Sequence, residues 1–348
     1  MGRSTPLKLA CKQLAKEVVW LLSRHAPGAQ KDICLFSSRR GGSTWFMEVI
    51  AANRGVRYID QPFSLYRFSP GHLGRLPVRH HSQFASLPGR TEEQFSAFVR
   101  DLLAGTVQVN APWEVWHPTF HWRTHRVVLK ILAAKPLIDW FDRTFDVHIV
   151  YSTRHPIPTA LSVMRNGWGL TVRSYLQDEQ FASNHLNDRQ LDYAWDLLRA
   201  GTPLQQHMLN WAVENLVPLR LLPKRPQWLY ASYEEALLAP EETLERLETT
   251  LHLPDRDRMF RQIGTASRST RKLVSATRAQ DDARGALASW RKHVTEEDER
   301  VAFEVLDRFG IDLYRFGHDL PVERTVPAEA DEVQGAVSSE AITPSQRS

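Results

Sequence analysis

The sequence is poor in cysteine and contains no long apolar run. Its 348 residues include only Cys11 and Cys34, which are too few for a disulfide framework and lack the paired spacing of a zinc site. We therefore expect a cytoplasmic protein that binds no metal. The longest uncharged run near the amino terminus covers residues 18–23, whereas a bilayer-spanning helix needs roughly 20 apolar residues. This predicts that the chain has no membrane anchor.

The sequence also lacks a large excess of either charge. Its 44 basic and 40 acidic residues give a formal net charge of +4, spread along the chain, which is too small for a typical nucleic-acid-binding protein. A hydrophobic content of 42% is enough for one large core. Candidate strands and helices alternate, and this predicts an α/β fold with a parallel sheet flanked by helices.

Composition divides the chain into three parts. We expect an amphipathic helix in residues 1–30 and one folded domain in residues 31–320, with a helical insertion at about 168–222. Residues 321–348 contain no aromatic residue and are expected to form a disordered tail. The apolar face of the first helix would pack against the body or, alternatively, touch an anionic membrane surface at the periphery. Its members are Leu7, Cys11, Leu14, Val18 and Leu21.

A loop of small and basic residues follows the apolar segment 33–36 and opens a helical pattern. Glycines let a backbone approach a ligand closely, and the first turn of a helix directs unpaired N–H groups at an anion. The hydroxyl residues add donors, and the arginines add positive charge. The pattern therefore predicts an anion-binding strand, loop and helix. The residues assigned to it are Arg39, Arg40, Gly41, Gly42, Ser43, Thr44 and Trp45.

This loop departs from the P-loop pattern of ATPases and GTPases. Ser37 stands where that pattern has its first glycine, and Ser43 stands where it has its lysine. A Walker-type enzyme is therefore disfavoured, and a P-loop nucleotide kinase remains an alternative.

A second anion-binding signature lies about a hundred residues later. Residues 147–151 alternate like a strand and lead into Arg154-His155-Pro156, followed by a helix that carries Ser162. The planar guanidinium of an arginine suits a phosphate group. Together the two signatures predict one anionic nucleotide held at both ends.

The two signatures resemble the motifs of sulfotransferases that use 3′-phosphoadenosine 5′-phosphosulfate (PAPS). Residues 40–45 resemble the loop that binds the 5′-phosphosulfate, and Arg154, Pro156 and Ser162 resemble the 3′-phosphate motif. Three further segments resemble the family in the same order, so that the similarity spans residues 31–316 and is closest to the carbohydrate (Golgi-type) branch. These segments are 126–130, 228–237 with Pro240, and 289–291.

The resemblance implies a donor, an acceptor and further binding residues. The donor would be PAPS, without a metal, and the acceptor a hydroxyl or amine of a carbohydrate, glycolipid or small molecule. Arg40 and the loop amides would stabilise charge on the leaving oxygen. Trp45 and Tyr233 would contact the adenine, and Arg284 would lie over the 3′ phosphate.

The residue that accepts the acceptor's proton is left open. The carbohydrate branch has a glutamate before a proline, but this chain has Gln61 there, and the nearest carboxylate is Asp60. His121, in the histidine-rich segment 117–125, is the other candidate, because the cytosolic branch uses a histidine near the central strand. The departure at Gln61 also leaves room for an inactive nucleotide-binding scaffold.

Overall fold

A computed structural model describes residues 6–64, 76, 83–263 and 280–322, and a five-stranded parallel sheet forms its centre. The strand order is β3-β5-β2-β6-β7, and a separate parallel pair joins β1 to β4. The strands are β1 (Arg24–His25), β2 (Asp32–Ser37), β3 (Val56–Asp60), β4 (Arg123–Thr124), β5 (Arg126–Ile131), β6 (Val147–Thr153) and β7 (Leu229–Ser232).

Helices flank both faces of this sheet. Within the described residues they are α1 (Pro6–Leu22), α2 (Ser43–Ala51), α3 (Arg90–Leu103), α4 (Ile138–Thr144), α5 (Pro156–Arg165), α6 (Val172–Leu176), α7 (Glu179–His185), α8 (Asp188–Ala200), α9 (Pro203–Leu221), α10 (Tyr233–Leu238), α11 (Pro240–Leu251), α12 (Arg256–Ile263), α13 (Gln280–Ala288) and α14 (Glu296–Arg308). Short 3₁₀ turns occur at Lys135–Leu137, Leu222–Lys224 and Ser289–His293.

The central strands are apolar because helices cover both of their faces. Every residue of β5 is buried, as are all residues of β2 after Asp32, which is what a covered parallel sheet requires. The α/β class with a parallel sheet between helices is therefore confirmed. In this register Asp60 pairs with Lys130, Ser37 with Ser152, and Thr153 with Ser232, so that the strands end together at one edge.

The helix α1 does not present its apolar face to the body, so packing against the body, one of the two expectations for this face, does not hold. Cys11, Leu14, Val18 and Leu21 are exposed, and the side chain of Leu7 lies outside the described part of the chain. The residues that meet the body are on the opposite side and include Trp20. In the described residues no helix is both long and apolar enough to cross a membrane.

The predicted helical insertion lies within the described residues, and the predicted tail lies almost entirely outside them. The segment predicted as a helical insertion contains α6 to α9, and α9 packs against α5 and α14. The predicted tail lies outside the described residues from position 323 onward.

Candidate functional site

The candidate site lies where β2, β6 and β7 end at the carboxyl edge of the sheet. Open α/β sheets bind ligands at this edge. The strand β2 leads into the loop before α2, β6 leads into Arg154 before α5, and β7 leads into Tyr233, the first residue of α10. Adjacency of the three strands therefore joins sequence segments that are up to two hundred residues apart.

The loop before α2 requires its glycines. Gly42 caps the helix with a φ of 84°, and a Cβ there would lie 2.6 Å from Cδ2 of Tyr233. A Cβ on Gly41 would lie 2.9 Å from the carbonyl oxygen of Ser38. Among the described residues no side chain caps this helix, and although the N–H of Trp45 donates to the carbonyl oxygen of Gly42, the N–H groups of Ser43 and Thr44 suit an anion.

Two arginines meet beside the loop. Nε of Arg40 donates to Oγ of Ser162 at 2.8 Å, and Nη1 of Arg154 donates to the carbonyl oxygen of Arg40 at 3.3 Å. Arg40 itself has a positive φ of 63°, which is rare for a residue other than glycine. The structure thus brings Arg40, Arg154 and Ser162 together, although two of them lie more than a hundred residues beyond the first.

The ring of Tyr233 packs against the guanidinium of Arg154 in this cluster. The guanidinium of Arg154 lies 4.7 Å from the centre of the Tyr233 ring, within the range of a cation–π contact. Nε of Arg154 is buried and has no hydrogen-bond partner within the described residues, and the same holds for Oγ of Ser37. Buried donors in native proteins are normally paired, so these atoms suit an anionic ligand.

Electrostatics in the cluster also favour an anion. Burial lowers the pKa of Arg40, and the neighbouring charges of Arg154 and Arg165 lower it further. Like charges so close together repel one another, and a bound phosphate or sulfate would relieve that repulsion.

A second charged group lies at the end of β3, next to the start of α2. Nζ of Lys130 lies 2.5 Å from Oδ1 of Asp60 and donates to Oγ1 of Thr44 at 3.0 Å. Sequence reasoning assigned no role to Lys130. Its signal was a lysine after the apolar residues 127–129 of the buried strand β5, and such a buried cation needs a partner.

Gln61 follows Asp60 with a φ of 55° and donates from Nε2 to Oδ1 of Asp60 at 3.3 Å. The left-handed backbone turns the chain away from the strand directly after the carboxylate. The turn at Gln61 thus keeps the carboxylate of Asp60 beside Lys130.

The structure places His121 away from the loop. Nε2 of His121 lies 3.1 Å from the carbonyl oxygen of Ala51, the last residue of α2. The loop precedes Ser43 at the other end of this nine-residue helix, about 13 Å away at 1.5 Å per residue. Burial lowers the pKa of His121. We therefore do not assign this histidine to the site.

Three of the remaining predicted residues contact other segments or lie on a neighbouring helix. The indole N–H of Trp45 donates to the carbonyl oxygen of Ile263 at 3.2 Å, so its ring packs towards α12. Arg284 is exposed on α13, which packs against α10, the helix that Tyr233 begins. Arg39 donates from Nη2 to the carbonyl oxygen of Gly169 at 3.0 Å.

A buried polar network fixes the start of the loop. Nζ of Lys135 lies 2.7 Å from Oε2 of Glu214 and donates to Oγ of Ser38 at 2.9 Å. The amide of Asn215 donates to the same Ser38 hydroxyl at 3.0 Å. Burial alone would raise the pKa of Glu214, but the charges of Lys135 and Arg39 outweigh it and lower the pKa to about 2. Glu214 is therefore ionised at neutral pH, and its charge counteracts the burial that lowers the pKa of Lys135.

A buried carboxyl group, Glu234, supports the turn that carries Arg154. The backbone N–H of His155 donates to it at 2.8 Å, and the hydroxyl of Tyr314 donates at 2.9 Å. Burial raises the pKa of Glu234 to about 7, although the His155 N–H and the charge of Arg154 oppose the rise.

This raised pKa predicts a pH dependence of stability. Between the ordinary value of 4.5 and about 7 the folded chain holds more protons at Glu234 than the unfolded chain. The free energy of unfolding should then fall as pH rises through this window, by up to roughly 3 kcal/mol. Glu234→Gln should remove that part of the slope in urea titrations across the window. The half-exposed neighbour Glu235, changed to Gln, is the control, and equal slopes for wild type and Glu234→Gln would contradict the prediction.

Comparison with known proteins gives similar folds at low identity. No protein-family model and no curated protein matches the chain. A mouse sulfotransferase complexed with PAP is 16% identical, with 80% of this chain and 84% of that chain covered and a TM-score of 0.38. The sulfotransferase domain of the Synechococcus PCC 7002 olefin synthase is 15% identical, with 84% and 98% covered and a TM-score of 0.41. Retinol dehydratase in complex with androsterone and inactive cofactor PAP is 17% identical, with 82% of each chain covered and a TM-score of 0.37. These values are too low to assign the chain to a family.

Proposed function

We propose that the protein is a sulfotransferase that moves a sulfuryl group from PAPS to a hydroxyl or amine. The observation that carries the proposal is the convergence of Arg40, Arg154 and Ser162 at a glycine-rich helix start. A donor with phosphates at its 5′ and 3′ positions needs two anion sites on one face, and this cluster supplies both. We further propose residues 31–320 as the catalytic domain.

The 5′ side of the donor would lie at the start of α2. There the N–H groups of Ser43 and Thr44, the hydroxyl of Thr44 and the guanidinium of Arg40 would contact the 5′ phosphosulfate. Donors held in place before reaction stabilise charge on the leaving oxygen without reorganisation. The bound donor supplies an already activated sulfuryl group, and the residues position it and stabilise charge.

The 3′ phosphate would lie against Arg154 and Ser162. The unpartnered Nε of Arg154 faces no competing acceptor within the described residues. The Tyr233 ring fixes the plane of the guanidinium and offers an aromatic surface beside it. We assign the adenine contact to Tyr233, and we keep Trp45 and Arg284 as proposed contacts at the edge of the nucleotide.

The acceptor would approach beside Asp60 and Lys130. The carboxylate of Asp60 lies at the carboxyl edge, and its partner Lys130 touches Thr44 in the first turn of α2. Asp60 would take the proton of the acceptor, and Lys130 would face the sulfuryl group. A carbohydrate or glycolipid is the acceptor class we propose, in a cytoplasmic protein.

The function is tested by Arg154→Ala. Losing a charge-assisted hydrogen bond to phosphate costs about 1.5–3 kcal/mol, so affinity for adenosine 3′,5′-bisphosphate should fall by roughly ten- to a hundredfold. The affinity for ADP, which has no 3′ phosphate, should hardly change. Calorimetric titration of both nucleotides measures the difference.

The matched control is Arg143→Ala, which removes an equal charge from the exposed surface of α4. Equal losses for both nucleotides in Arg154→Ala would refute the 3′-phosphate site. Tight, magnesium-dependent ATP binding by the wild type would instead favour a nucleotide kinase.

An inactive scaffold of the same fold is the second candidate, and Gln61 favours it. A neutral amide stands where the carbohydrate branch has its glutamate. Binding of the bisphosphate without turnover, and appearance of turnover in Gln61→Glu, would support this reading.

A further inference from the structure

The exposed apolar stripe on α1 is the most prominent unpartnered surface of the described chain. Leu14 is 63% exposed, Leu21 is 81% and Leu22 is 63%, and Val18 lies between them on the same face at 45%. These positions follow a helical spacing of three and four residues. Contiguous apolar patches on a surface mark sites of protein or membrane contact.

Contacts on the other side of α1 hold this stripe outward. The guanidinium of Arg57 lies 4.6 Å from the centre of the Trp20 ring and donates to Oγ of Ser23 at 3.1 Å. The side-chain amide of Gln108 donates to the carbonyl oxygen of Lys16 at 2.9 Å. The helix is therefore fixed to the body through its less apolar side. Turning the leucines inward would break these contacts.

Exposed tryptophans lie beside the middle of the helix and beside its carboxyl end. Trp116 is 73% exposed and stands edge-on to Trp113, whose ring lies 5.3 Å from Nζ of Lys12. Trp122 is 48% exposed, and its carbonyl oxygen accepts the backbone N–H of Arg24 just after the helix ends. Tryptophan is enriched where an apolar phase meets water, because one end of the ring is apolar and the other is a hydrogen-bond donor.

Three exposed cations lie on α1 and on the strand pair after it, with Lys12 on the flank of the helix that meets Trp113 and outside the apolar stripe. Lys12, Arg24 and Arg123 are exposed, and Arg24 and Arg123 are paired residues of β1 and β4. Glu17, which accepts a bond from Gln13, is an acidic residue on the exposed side of the helix. An apolar stripe with exposed tryptophans and cations nearby suits the interfacial region of a bilayer that contains anionic lipids.

We propose that α1, together with Trp116 and Trp122, binds peripherally to the surface of a bilayer with anionic headgroups. The leucines enter the boundary between headgroups and acyl chains, the tryptophan rings lie at the headgroup level, and the cations contact the anionic groups. This inference does not depend on the proposed transferase activity.

Vesicle flotation of the full chain tests the proposal. With phosphatidylcholine vesicles that contain about one third phosphatidylserine we expect binding, and with phosphatidylcholine alone we expect binding to be weaker by about fivefold or more for each cation that contacts lipid. Leu21→Glu should lower partition into the mixed vesicles by about tenfold or more, because a buried apolar contact is replaced by a charge that the anionic surface repels. The control is Leu320→Glu, which changes an exposed leucine on the carboxyl-terminal segment and should have no effect.

A second measurement distinguishes membrane binding by α1 from self-association of the protein. Light scattering of the lipid-free protein shows whether the stripe is covered by a second copy. A stable dimer that Leu21→Glu converts to monomer, with no flotation on mixed vesicles, would overturn the proposal. Equal flotation of wild type and Leu21→Glu would also overturn it. Loss of binding at high salt, and in Lys12→Gln or Arg24→Gln, would support it.

Discussion

Asp60→Asn is expected to lower the turnover of the proposed transferase by about 10²–10⁴, the range typical of a lost general base. The carboxylate lies 2.5 Å from Nζ of Lys130 at the carboxyl edge of the sheet. An asparagine keeps the shape of the side chain but cannot take the proton of an acceptor. Affinity for adenosine 3′,5′-bisphosphate should stay within about twofold, because the nucleotide cluster lies on other strands. Steady-state kinetics with a hydroxylated acceptor, together with calorimetry, give both values.

A surface carboxylate supplies the control for this result. Asp146→Asn removes an equal charge from an exposed ion pair with Lys31 and should leave turnover unchanged. If Asp60→Asn keeps full turnover in an otherwise active enzyme, the acceptor has been placed on the wrong strand. A loss of nucleotide affinity in parallel with turnover would point to Asp60 as a support for Lys130 and Thr44.

Glu214→Gln is expected to destabilise the protein by about 3–5 kcal/mol, the cost of leaving a buried charge without its partner. Lys135 is fully buried, and Glu214 is its carboxylate partner at 2.7 Å. The variant keeps the size of the side chain and a hydrogen-bonding carbonyl, so the lost charge is the main change. Urea unfolding at neutral pH measures the effect.

The ion pair predicts a specific rescue. Adding Lys135→Met to Glu214→Gln removes the orphaned charge and should restore at least half of the lost stability, as a double-mutant cycle would show. Glu241→Gln, on the exposed face of α11, is the matched single change. A loss of less than about 1 kcal/mol in Glu214→Gln would mean that water reaches Lys135.

Local motifs predicted that Arg40, Arg154 and Ser162 would come together. The glycines and Arg40 occupy one loop, whereas Arg154 follows β6 and Ser162 lies in the helix after it, so that each half of the site comes from one short segment of the sequence. The parallel strand order then determines that the halves meet. The sequence could predict this convergence because both motifs follow strands, and parallel strands end at the same edge.

Features that depend on register between distant segments could not be predicted in this way. The Asp60–Lys130 pair needs the alignment of β3 with β5, which no local pattern specifies. His121 was assigned from its closeness in sequence to β5, but it lies at the amino end of that strand, opposite the carboxyl edge. The sequence also could not choose between the two expectations for the apolar face of α1, because periodicity identifies an apolar face without saying what covers it.

Two residues beside the candidate site have a left-handed backbone, and the substitution that would raise thermal stability at these positions would also remove their side chains. Arg40 and Gln61 each hold a backbone conformation that costs a residue with a Cβ roughly 1–2 kcal/mol and costs glycine little. Laboratory selection for heat resistance alone would therefore favour glycine at both positions. The survivors would gain thermal tolerance and lose the guanidinium and amide that these turns carry, so a stabilised version of this protein has to be engineered elsewhere in the fold.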